Sequence, residues 1–259
     1  RALRLLERNL IGPGVDLEQD VPGLHHLAFF EKGLDQLTLD ACIHLHGGIS
    51  DLEYPRDYVR NAAIHAGARV AVTIDIENFF PSVRTEQVFE IWSQFFRFDS
   101  TVAELLTKLT TKDGFLPQGA KTSNYLANLV FWKHEHSIVD TLAKHGWRYS
   151  RLTDDITVST AKTTVDNLTY VNRLVIAHLH RHGFRTKRSK HKILRNHNLM
   201  TVNSLVVNEK VALPKAERKR IRAQVHQTRP NDDIISDIKP SLASTRGKVG
   251  KVARMHPKL

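Results

Sequence analysis

Residues 70–76 (VAVTIDI) show the clearest alternation of apolar and polar or small side chains in the chain. Successive side chains of a strand point to opposite faces, so one face of this segment carries only branched apolar residues. These residues are Val70, Val72, Ile74 and Ile76. The other face carries Ala71, Thr73 and Asp75. We therefore predict a half-buried strand that presents Asp75 from its open face.

Two further segments have β patterns. Residues 146–160 predict two short strands that meet at a tight turn around Asp154 and Asp155, and β-branched residues follow that turn. Residues 199–207 (LMTVNSLVV) are also rich in residues that favour strands. The sequence thus predicts three separate stretches of β-structure.

Apolar residues at intervals of three and four predict helices around these strands. The predicted helical segments are residues 1–10, residues 85–109, a helix capped by Thr122 or Ser123 that runs to about His136, residues 164–182, and a basic helix over residues 215–228 that begins soon after Pro214. Strands and helices do not alternate strictly along the chain. We therefore predict an α+β fold in which helices back an antiparallel sheet.

The composition is that of a globular protein, since 41% of the 259 residues are apolar and 25% are charged. No stretch approaches the roughly 20 apolar residues of a membrane span, so we expect no membrane association. No apolar run of a signal peptide follows the first residues. The sequence also begins without Met, so we expect it to be a piece of a longer protein. The single cysteine, Cys42, excludes an internal disulfide framework and a cysteine-based zinc site, and it indicates a reducing, cytoplasmic compartment.

The net charge of +11 is unevenly distributed. Residues 1–180 hold 18 Lys and Arg against 22 Asp and Glu, a net charge of −4. Residues 181–259 hold 20 against 5, a net charge of +15. A basic C-terminal part can neutralise phosphates and release condensed counterions, so it favours a nucleic-acid partner. A solvated tail or a contact with an acidic protein is the alternative.

Three aspartates are candidates for metal chemistry. Asp154 and Asp155 are adjacent at a predicted turn, where their charges repel each other unless a cation lies between them. Asp75 ends a separate predicted strand. Carboxylates on adjacent strands suit Mg²⁺, which keeps several waters and takes further ligands from phosphates. The alternative for Asp154 and Asp155 is a solvated turn, since Asp is common in turns.

Five segments resemble, in order, the conserved blocks of reverse transcriptases. They are IDIENFFPSV at residues 74–83, GFLPQGAKTSNYLANL at 114–129, YSRLTDDITVS at 149–159, GFRTKRSK at 183–190 and VNSLVVN at 202–208. The succession of LPQG, TS and LANL is highly specific. NAAIH at residues 61–65 is similar to the NAxxH signature of retron enzymes. The resemblance is therefore to bacterial reverse transcriptases of the retron type.

This resemblance implies a right-hand polymerase, with fingers and palm over residues 1–210 and a helical, basic thumb over residues 211–259. The reaction it implies is attack of a primer 3′-hydroxyl on the α-phosphate of a dNTP, with two Mg²⁺ ions as cofactors. The expected partners are a noncoding RNA that acts as template and primer, its cDNA product, and an effector protein in antiphage defence. No oligomeric state is implied.

The resemblance also assigns roles to single residues. The carboxylates of Asp75, Asp154 and Asp155 and the backbone carbonyl of Ile76 become metal ligands. The contacts with the incoming nucleotide fall to Phe80 as the wall against a 2′-hydroxyl, Gln118 and Gly119 over the nascent base pair, and Lys190 near the triphosphate. Read without the resemblance, Phe80 is a core aromatic and Lys190 is a surface lysine.

Contacts with nucleic acid are expected in two regions. Asn61, His65 and Asn203 belong to the retron-type signature elements, and the alternative for His65 is a hydrogen-bonded structural histidine. In the basic helix, the spacing of four residues predicts one shared face toward the phosphates of a template–primer duplex. These residues are Lys215, Arg218, Lys219 and Arg222.

Two other functions stay open. One is a defence polymerase that makes DNA without a conventional template or from a protein primer. Two departures from the family leave it open: Leu152 and Thr153 stand in place of Tyr-Ala, and Asn203 and Ser204 stand in place of the retron Thr-Gly. The other is a catalytically silent RNA-binding scaffold, which the presence of all three aspartates disfavours.

Overall fold

The centre of the computed structural model is a five-stranded sheet with the spatial order β1-β3-β4-β2-β5. Its strands are β1 (Leu45–His46), β2 (Val70–Asp75), β3 (Arg148–Leu152), β4 (Asp155–Thr160) and β5 (Lys192–Arg195). β1 runs parallel to β3, and the other neighbours are antiparallel, so the sheet is mixed where we predicted an antiparallel one. The structure describes residues 44–47, 56–120, 122–162, 167–227 and 242–256. The helix predicted over residues 1–10 lies outside these ranges.

Helices cover both faces of the sheet. In chain order they are α1 (Tyr58–Ile64), α2 (Phe79–Ser82), α3 (Thr85–Glu90), α4 (Ser100–Thr110), α5 (Ser123–Leu129), α6 (Glu135–Lys144), α7 (Leu168–Arg181), α8 (Lys215–Gln227) and α9 (Leu242–Met255). A separate hairpin pairs β6 (Thr201–Val202) with β7 (Leu205–Val206). None of the described helices is long and apolar enough to cross a bilayer.

The strand predicted over residues 70–76 is confirmed as β2, but it is buried on both faces. The face with Val72 and Ile74 packs into a larger core with residues of α3 to α7. The face with Ala71 packs into a smaller core with Met200, Leu205 and residues of α1, α8 and α9. The prediction of an open face was wrong because the hairpin β6–β7 and the C-terminal helices cover it.

Two predicted helices are shorter than expected. The segment 85–109 is interrupted after α3 by a π-helical turn at Ile91–Phe95 and by Arg97, whose φ is +58°. The interruption lets Trp92, Phe96 and Phe98 pack together, with ring centroids of Trp92 and Phe96 5.0 Å apart. The helix expected to reach His136 ends at Leu129, and α6 begins separately at Glu135.

The remaining element predictions are confirmed. The segment 146–160 forms the hairpin β3–β4, residues 199–207 contain the hairpin β6–β7, and the basic segment forms α8. Within 164–182, α7 buries the predicted apolar stripe of Val171, Val175 and Leu179. Helix α9 docks on α8 through a Lys251–Glu217 ion pair of 2.8 Å and on α1 through an Arg254–Asp57 pair.

His65, at the C-terminal end of α1, joins this helix to the central hairpin. Its Nδ1 lies 2.7 Å from the hydroxyl of Ser159 on β4, and its Nε2 lies 2.7 Å from the hydroxyl of Ser150 on β3. All three side chains are buried. Burial, helped by the charge of Arg148, lowers the pKa of His65 to about 3. A neutral imidazole therefore links both strands of the hairpin.

We predict that the free energy of unfolding falls as the pH is lowered from about 6.5 toward 3. The pKa of His65 in the folded chain lies below its ordinary value of 6.5, so the unfolded state takes up this proton first. The stabilising contribution is complete above the unfolded pKa and is lost on the acid side. His65→Gln should remove about 1 kcal/mol of the difference in unfolding free energy between pH 7.5 and pH 5.5, as measured by urea denaturation.

The matched control for this measurement is His180→Gln, since His180 is an exposed histidine on α7. Its pH dependence should equal that of the unchanged chain. A His65→Gln variant with the same pH dependence as the control would contradict a buried neutral imidazole at this position.

Candidate active site

The three candidate aspartates lie together at one end of the sheet. Antiparallel pairing of β2 with β4 sets the Cα of Asp75 directly opposite that of Asp155. Asp154 lies in the two-residue connection of the hairpin β3–β4, and its carbonyl accepts a hydrogen bond of 3.0 Å from the Ile76 N–H. The backbone therefore brings together carboxylates that are 79 positions apart in the sequence.

Negative charge is concentrated at this end of the sheet. Desolvation, together with the charges of Asp154 and Asp75, raises the pKa of Asp155 to about 6. Desolvation and the charge of Asp75 also raise the pKa of Asp154. The ammonium group of Lys190 lies 2.6 Å from a carboxylate oxygen of Asp75. These carboxylates repel one another, so a cation between them would be stabilising.

A short backbone ladder brings Lys190 to Asp75. The N–H of Lys187 donates to the carbonyl of Asp75, and the N–H of Glu77 donates to the carbonyl of Arg185, both at 2.8 Å. Neither bond uses the carbonyl oxygen of Ile76, which we expected to be a metal ligand. Lys190 follows in a 3₁₀ turn, Arg188–Lys190, and 54% of its side chain is exposed.

The donor set fits a hard divalent cation, although no closed cage is preformed. Within the described residues, no three carboxylate, imidazole or thiol side chains are already arranged to hold a metal ion. An open arrangement is what Mg²⁺ requires in phosphoryl-transfer sites, because it keeps waters and binds substrate phosphates alongside one or two carboxylates. Asp75 is only 4% exposed, so its carboxylate is held by the strand rather than free in solvent.

Two adjacent aromatic residues lie just after Asp75. Asn78, with a φ of +47°, turns the chain into the short helix α2. Phe79 is buried against Phe131 and Phe184, with ring centroids 6.2 and 5.4 Å away. Phe80 packs beside Phe79 but stays partly exposed. Phe79 is thus the core aromatic of the pair, and Phe80 can contact a ligand.

The loop with Gln118 and Gly119 is anchored at its base and open at its tip. Leu116 is buried, and its N–H donates to the carbonyl of Val83. The hydroxyl of Ser123 donates to the carbonyl of Pro117 at 2.6 Å. Gly119 has a φ of +88°, and among the described residues other than its chain neighbours no atom lies within 4 Å of where its Cβ would be. Backbone conformation therefore requires this glycine, and the open side leaves room for a ligand.

The structure corrects the expected nucleic-acid contacts of Asn61 and His65. Both side chains are fully buried. His65 bonds to the two strand serines described above, so the structural alternative holds for it. The amide of Asn61 donates to the side-chain oxygen of Asn203, at 2.5 Å. Asn203 itself is partly exposed at the tip of the hairpin β6–β7, where it remains a candidate contact.

The predicted basic face of α8 is divided. Lys215, Lys219 and Arg222 are exposed. Arg218 is partly buried, and with Arg222 it borders a groove between α8 and α9 that has an apolar lining. The apolar residues of this lining are Ile221, Val225, Val249 and Val252, and His226 also borders the groove. Arg218 and Arg222 thus lie on one side of α8, as their spacing predicts, and the packing of helix α9 leaves Arg218 only partly exposed.

Sequence reasoning missed a buried ion pair behind the aspartates. The guanidinium of Arg151 contacts both carboxylate oxygens of Glu135, at 2.7 and 2.9 Å. It also donates to the carbonyls of Asn128, at 2.8 Å, and Thr153, at 2.9 Å. The hydroxyl of Tyr149 donates to Glu135 at 2.7 Å. The sequence did contain a signal for this ion pair, because Arg151 in YSRL and Asn128 in LANL both belong to the family blocks quoted above.

Comparisons with known proteins agree with this arrangement. The family described as reverse transcriptase (RNA-dependent DNA polymerase) matches residues 20–227. The chain is 35% identical to the retron Se72 reverse transcriptase of Salmonella heidelberg, over 71% of this chain and 48% of that protein. It is 33% identical to the retron Ec48 reverse transcriptase of Escherichia coli, over 77% and 50%. The chain thus spans about half the length of these curated relatives.

A likeness to solved structures concerns the fold alone. Apo telomerase from Candida tropicalis superposes with a TM-score of 0.54 at 12% identity, over 72% of this chain and 40% of that one. A form truncated of its C-terminal domain gives a TM-score of 0.53 over 76% of this chain. These matches confirm the predicted α+β polymerase fold.

We predict that Asp155→Asn raises the melting temperature in metal-free buffer at pH 8. The pKa of Asp155 in the folded chain lies above its ordinary value of 3.8, so ionisation above about pH 6 costs folding free energy, which the neutral amide avoids. The same variant should lose most of the rise in melting temperature that Mn²⁺ gives the unchanged chain.

Asp140→Asn, at an exposed position on α6, serves as the control and should change neither quantity. A lower melting temperature for Asp155→Asn without metal, or an undiminished response to Mn²⁺, would contradict a site in which three carboxylates repel each other.

Proposed function

The chain belongs to the reverse transcriptase (RNA-dependent DNA polymerase) family, and on that premise we propose that it extends a primer with dNTPs along an RNA template. The primer 3′-hydroxyl attacks the α-phosphate, the bond to the leaving pyrophosphate breaks, and the primer grows by one nucleotide. The observation that carries this proposal is the register of β2 and β4, which sets Asp75 against Asp155 beside Asp154.

The aspartates are proposed as the metal ligands. Asp75, Asp154, Asp155 and the carbonyl of Ile76 would hold two Mg²⁺ ions, which activate the attacking hydroxyl and stabilise the leaving oxygen when bound. Lys190 is proposed to turn its exposed ammonium group from Asp75 toward the triphosphate. There it would donate hydrogen bonds to phosphate oxygens and a proton to the leaving pyrophosphate.

The nucleotide pocket is proposed to lie between α2 and the loop at residues 116–119. Phe80 would set its partly exposed ring against the sugar, where a 2′-hydroxyl would clash with it. Gln118 and Gly119 would lie over the nascent base pair, because the positive φ of Gly119 and the open space beside it let a base approach the backbone.

We propose that residues 1–210 form fingers and palm and that residues 211–259 form the thumb. The exposed Lys215, Lys219 and Arg222 of α8, together with the partly exposed Arg218, would contact duplex phosphates in a salt-dependent manner. Asn203, at the tip of the hairpin β6–β7, would contact RNA. Because the relatives are named as retron reverse transcriptases, we propose that this chain acts in a retron-like system. Its proposed partners are a noncoding RNA as template and primer, and an effector protein in antiphage defence.

A primer-extension assay with the purified chain tests the activity. With Mg²⁺, dNTPs and a primed RNA template, we expect templated DNA synthesis that EDTA abolishes. The double variant Asp154→Asn/Asp155→Asn should reduce the rate at least about a thousandfold while leaving the circular dichroism spectrum unchanged.

Two other outcomes of this assay would favour other functions, and a third would contradict the mechanism. Product formed without template would favour untemplated or protein-primed synthesis. RNA binding without any synthesis would favour a silent scaffold. Synthesis by the double aspartate variant at a rate near that of the unchanged chain would contradict the metal mechanism.

We predict that Phe80→Val raises the ratio of rNTP to dNTP incorporation about tenfold or more, because the smaller side chain removes the clash with the 2′-hydroxyl. The ratio is measured as kcat/KM for a matched pair of nucleotides on one template. Tyr170→Val, which removes an exposed aromatic ring from α7, should leave it unchanged. An unchanged ratio in Phe80→Val would show that another group selects the sugar.

A further inference from the structure

The turn that carries the adjacent aspartates begins with a strained residue. Thr153, directly before Asp154, has a φ of +56°. A β-branched residue adopts this left-handed conformation at a steric cost, so the surrounding structure must hold it there. Thr153 and Asp154 are the whole connection between β3 and β4. The conformation of Thr153 therefore sets how the chain enters Asp154, next to the Asp155 that pairing with β2 holds in register.

Two hydrogen bonds to its backbone groups hold Thr153 in place. Its N–H donates to the carbonyl of His46 on β1, at 3.2 Å. Its carbonyl accepts a hydrogen bond of 2.9 Å from the guanidinium of Arg151. The fit around the turn is tight, because a Cβ at Gly47 would lie only 2.8 Å from the Thr153 hydroxyl oxygen. The Arg151 contact is the one made by a side chain.

Arg151 is itself fixed from several sides. It is fully buried, and its guanidinium is shared between the Glu135 carboxylate on α6, the Asn128 carbonyl on α5 and the Thr153 carbonyl. Its charged group also lies 5.0 Å from the centroid of the Phe131 ring. The Coulombic attraction of Arg151 lowers the pKa of Glu135 well below its usual range despite burial, so the carboxylate is charged. A guanidinium with this many partners cannot move without breaking several of them.

We propose that Arg151 is a positioning residue for the metal-binding turn. It ties the strained Thr153 to helices α5 and α6 and so fixes the turn that holds the carboxylate of Asp154 beside that of Asp155. The expected consequence is tighter binding of the divalent cation, and in this respect the inference rests on the proposed function. The role needs the forked guanidinium, since a single ammonium group cannot reach Glu135, Asn128 and Thr153 together.

The test is Arg151→Lys, which keeps a cation beside Glu135 and loses the bond to Thr153. Its affinity for Mn²⁺, measured by electron paramagnetic resonance without substrate, should fall about tenfold, as expected of a residue that orients metal ligands. Adding Thr153→Gly should recover at least about threefold, because glycine adopts a positive φ without strain and needs less support. Arg148→Lys is the matched control on the same strand. Arg148 donates to the carbonyl of Ala66 and not to the turn, so Mn²⁺ affinity should not change.

Hydrogen exchange of the peptide covering residues 152–156 gives a readout that needs neither metal nor activity. Exchange should quicken in Arg151→Lys and stay unchanged in Arg148→Lys. If the unchanged chain binds no Mn²⁺, the proposed function fails, and hydrogen exchange alone still tests the positioning role. Unchanged exchange in Arg151→Lys, or a loss of Mn²⁺ affinity that Thr153→Gly does not relieve, would overturn the proposal.

A second variant covers the case in which Arg151→Lys does not fold. Arg151→Met with Glu135→Gln removes both charges, so neither is left buried and unpaired. Melting temperature and circular dichroism report its folding. We expect a folded protein with the same loss and the same rescue by Thr153→Gly. Failure of both variants to fold would overturn the proposal, because Arg151 would then support the whole fold rather than the turn.

Discussion

The antiparallel pairing of β2 with β4 is the constraint on which the candidate active site depends. The register runs from Val70 opposite Thr160 to Asp75 opposite Asp155. A slip of one residue would turn every side chain of one strand to the other face and separate the carboxylates. Burial on both faces prevents the slip, since Val72 and Ile74 face the larger core and Ala71 faces the smaller one. Packing of ordinary apolar residues thus sets the geometry of the charged ones.

Buried polar groups fix the position of the central hairpin in addition to the apolar packing. His65 links both strands of the central hairpin to α1, and Arg151 links the end of that hairpin to α5 and α6. Such groups are costly to bury, and loss of one partner leaves the other unpaired, so they favour a single arrangement. Asn61 extends this framework to the hairpin β6–β7 through Asn203. The signature at residues 61–65 is therefore a structural connection inside the protein.

The positions of the candidate aspartates could be predicted from the sequence, whereas the groups that support them could not. Alternation identified β2 and the position of Asp75, and the family resemblance, which the matches to retron reverse transcriptases confirm, selected Asp154 and Asp155. Local pattern cannot show which helix covers a strand. For that reason the closed second face of β2 and the partial burial of Arg218 were missed, and the structural role of His65 was only the alternative. The pairing of Arg151 with Glu135 joins residues 16 positions apart and depends on tertiary packing.

Cleavage of the backbone by iron bound at the candidate metal site tests the central claim directly. Fe²⁺ bound in place of Mg²⁺ generates hydroxyl radicals in the presence of ascorbate and peroxide, and these cut the nearest peptide bonds. The account predicts cuts near residue 75 and near residues 153–155, in similar yield, both suppressed by excess Mg²⁺. Cuts in only one of these segments, or cuts elsewhere that Mg²⁺ does not suppress, would contradict a shared metal site at the paired ends of β2 and β4.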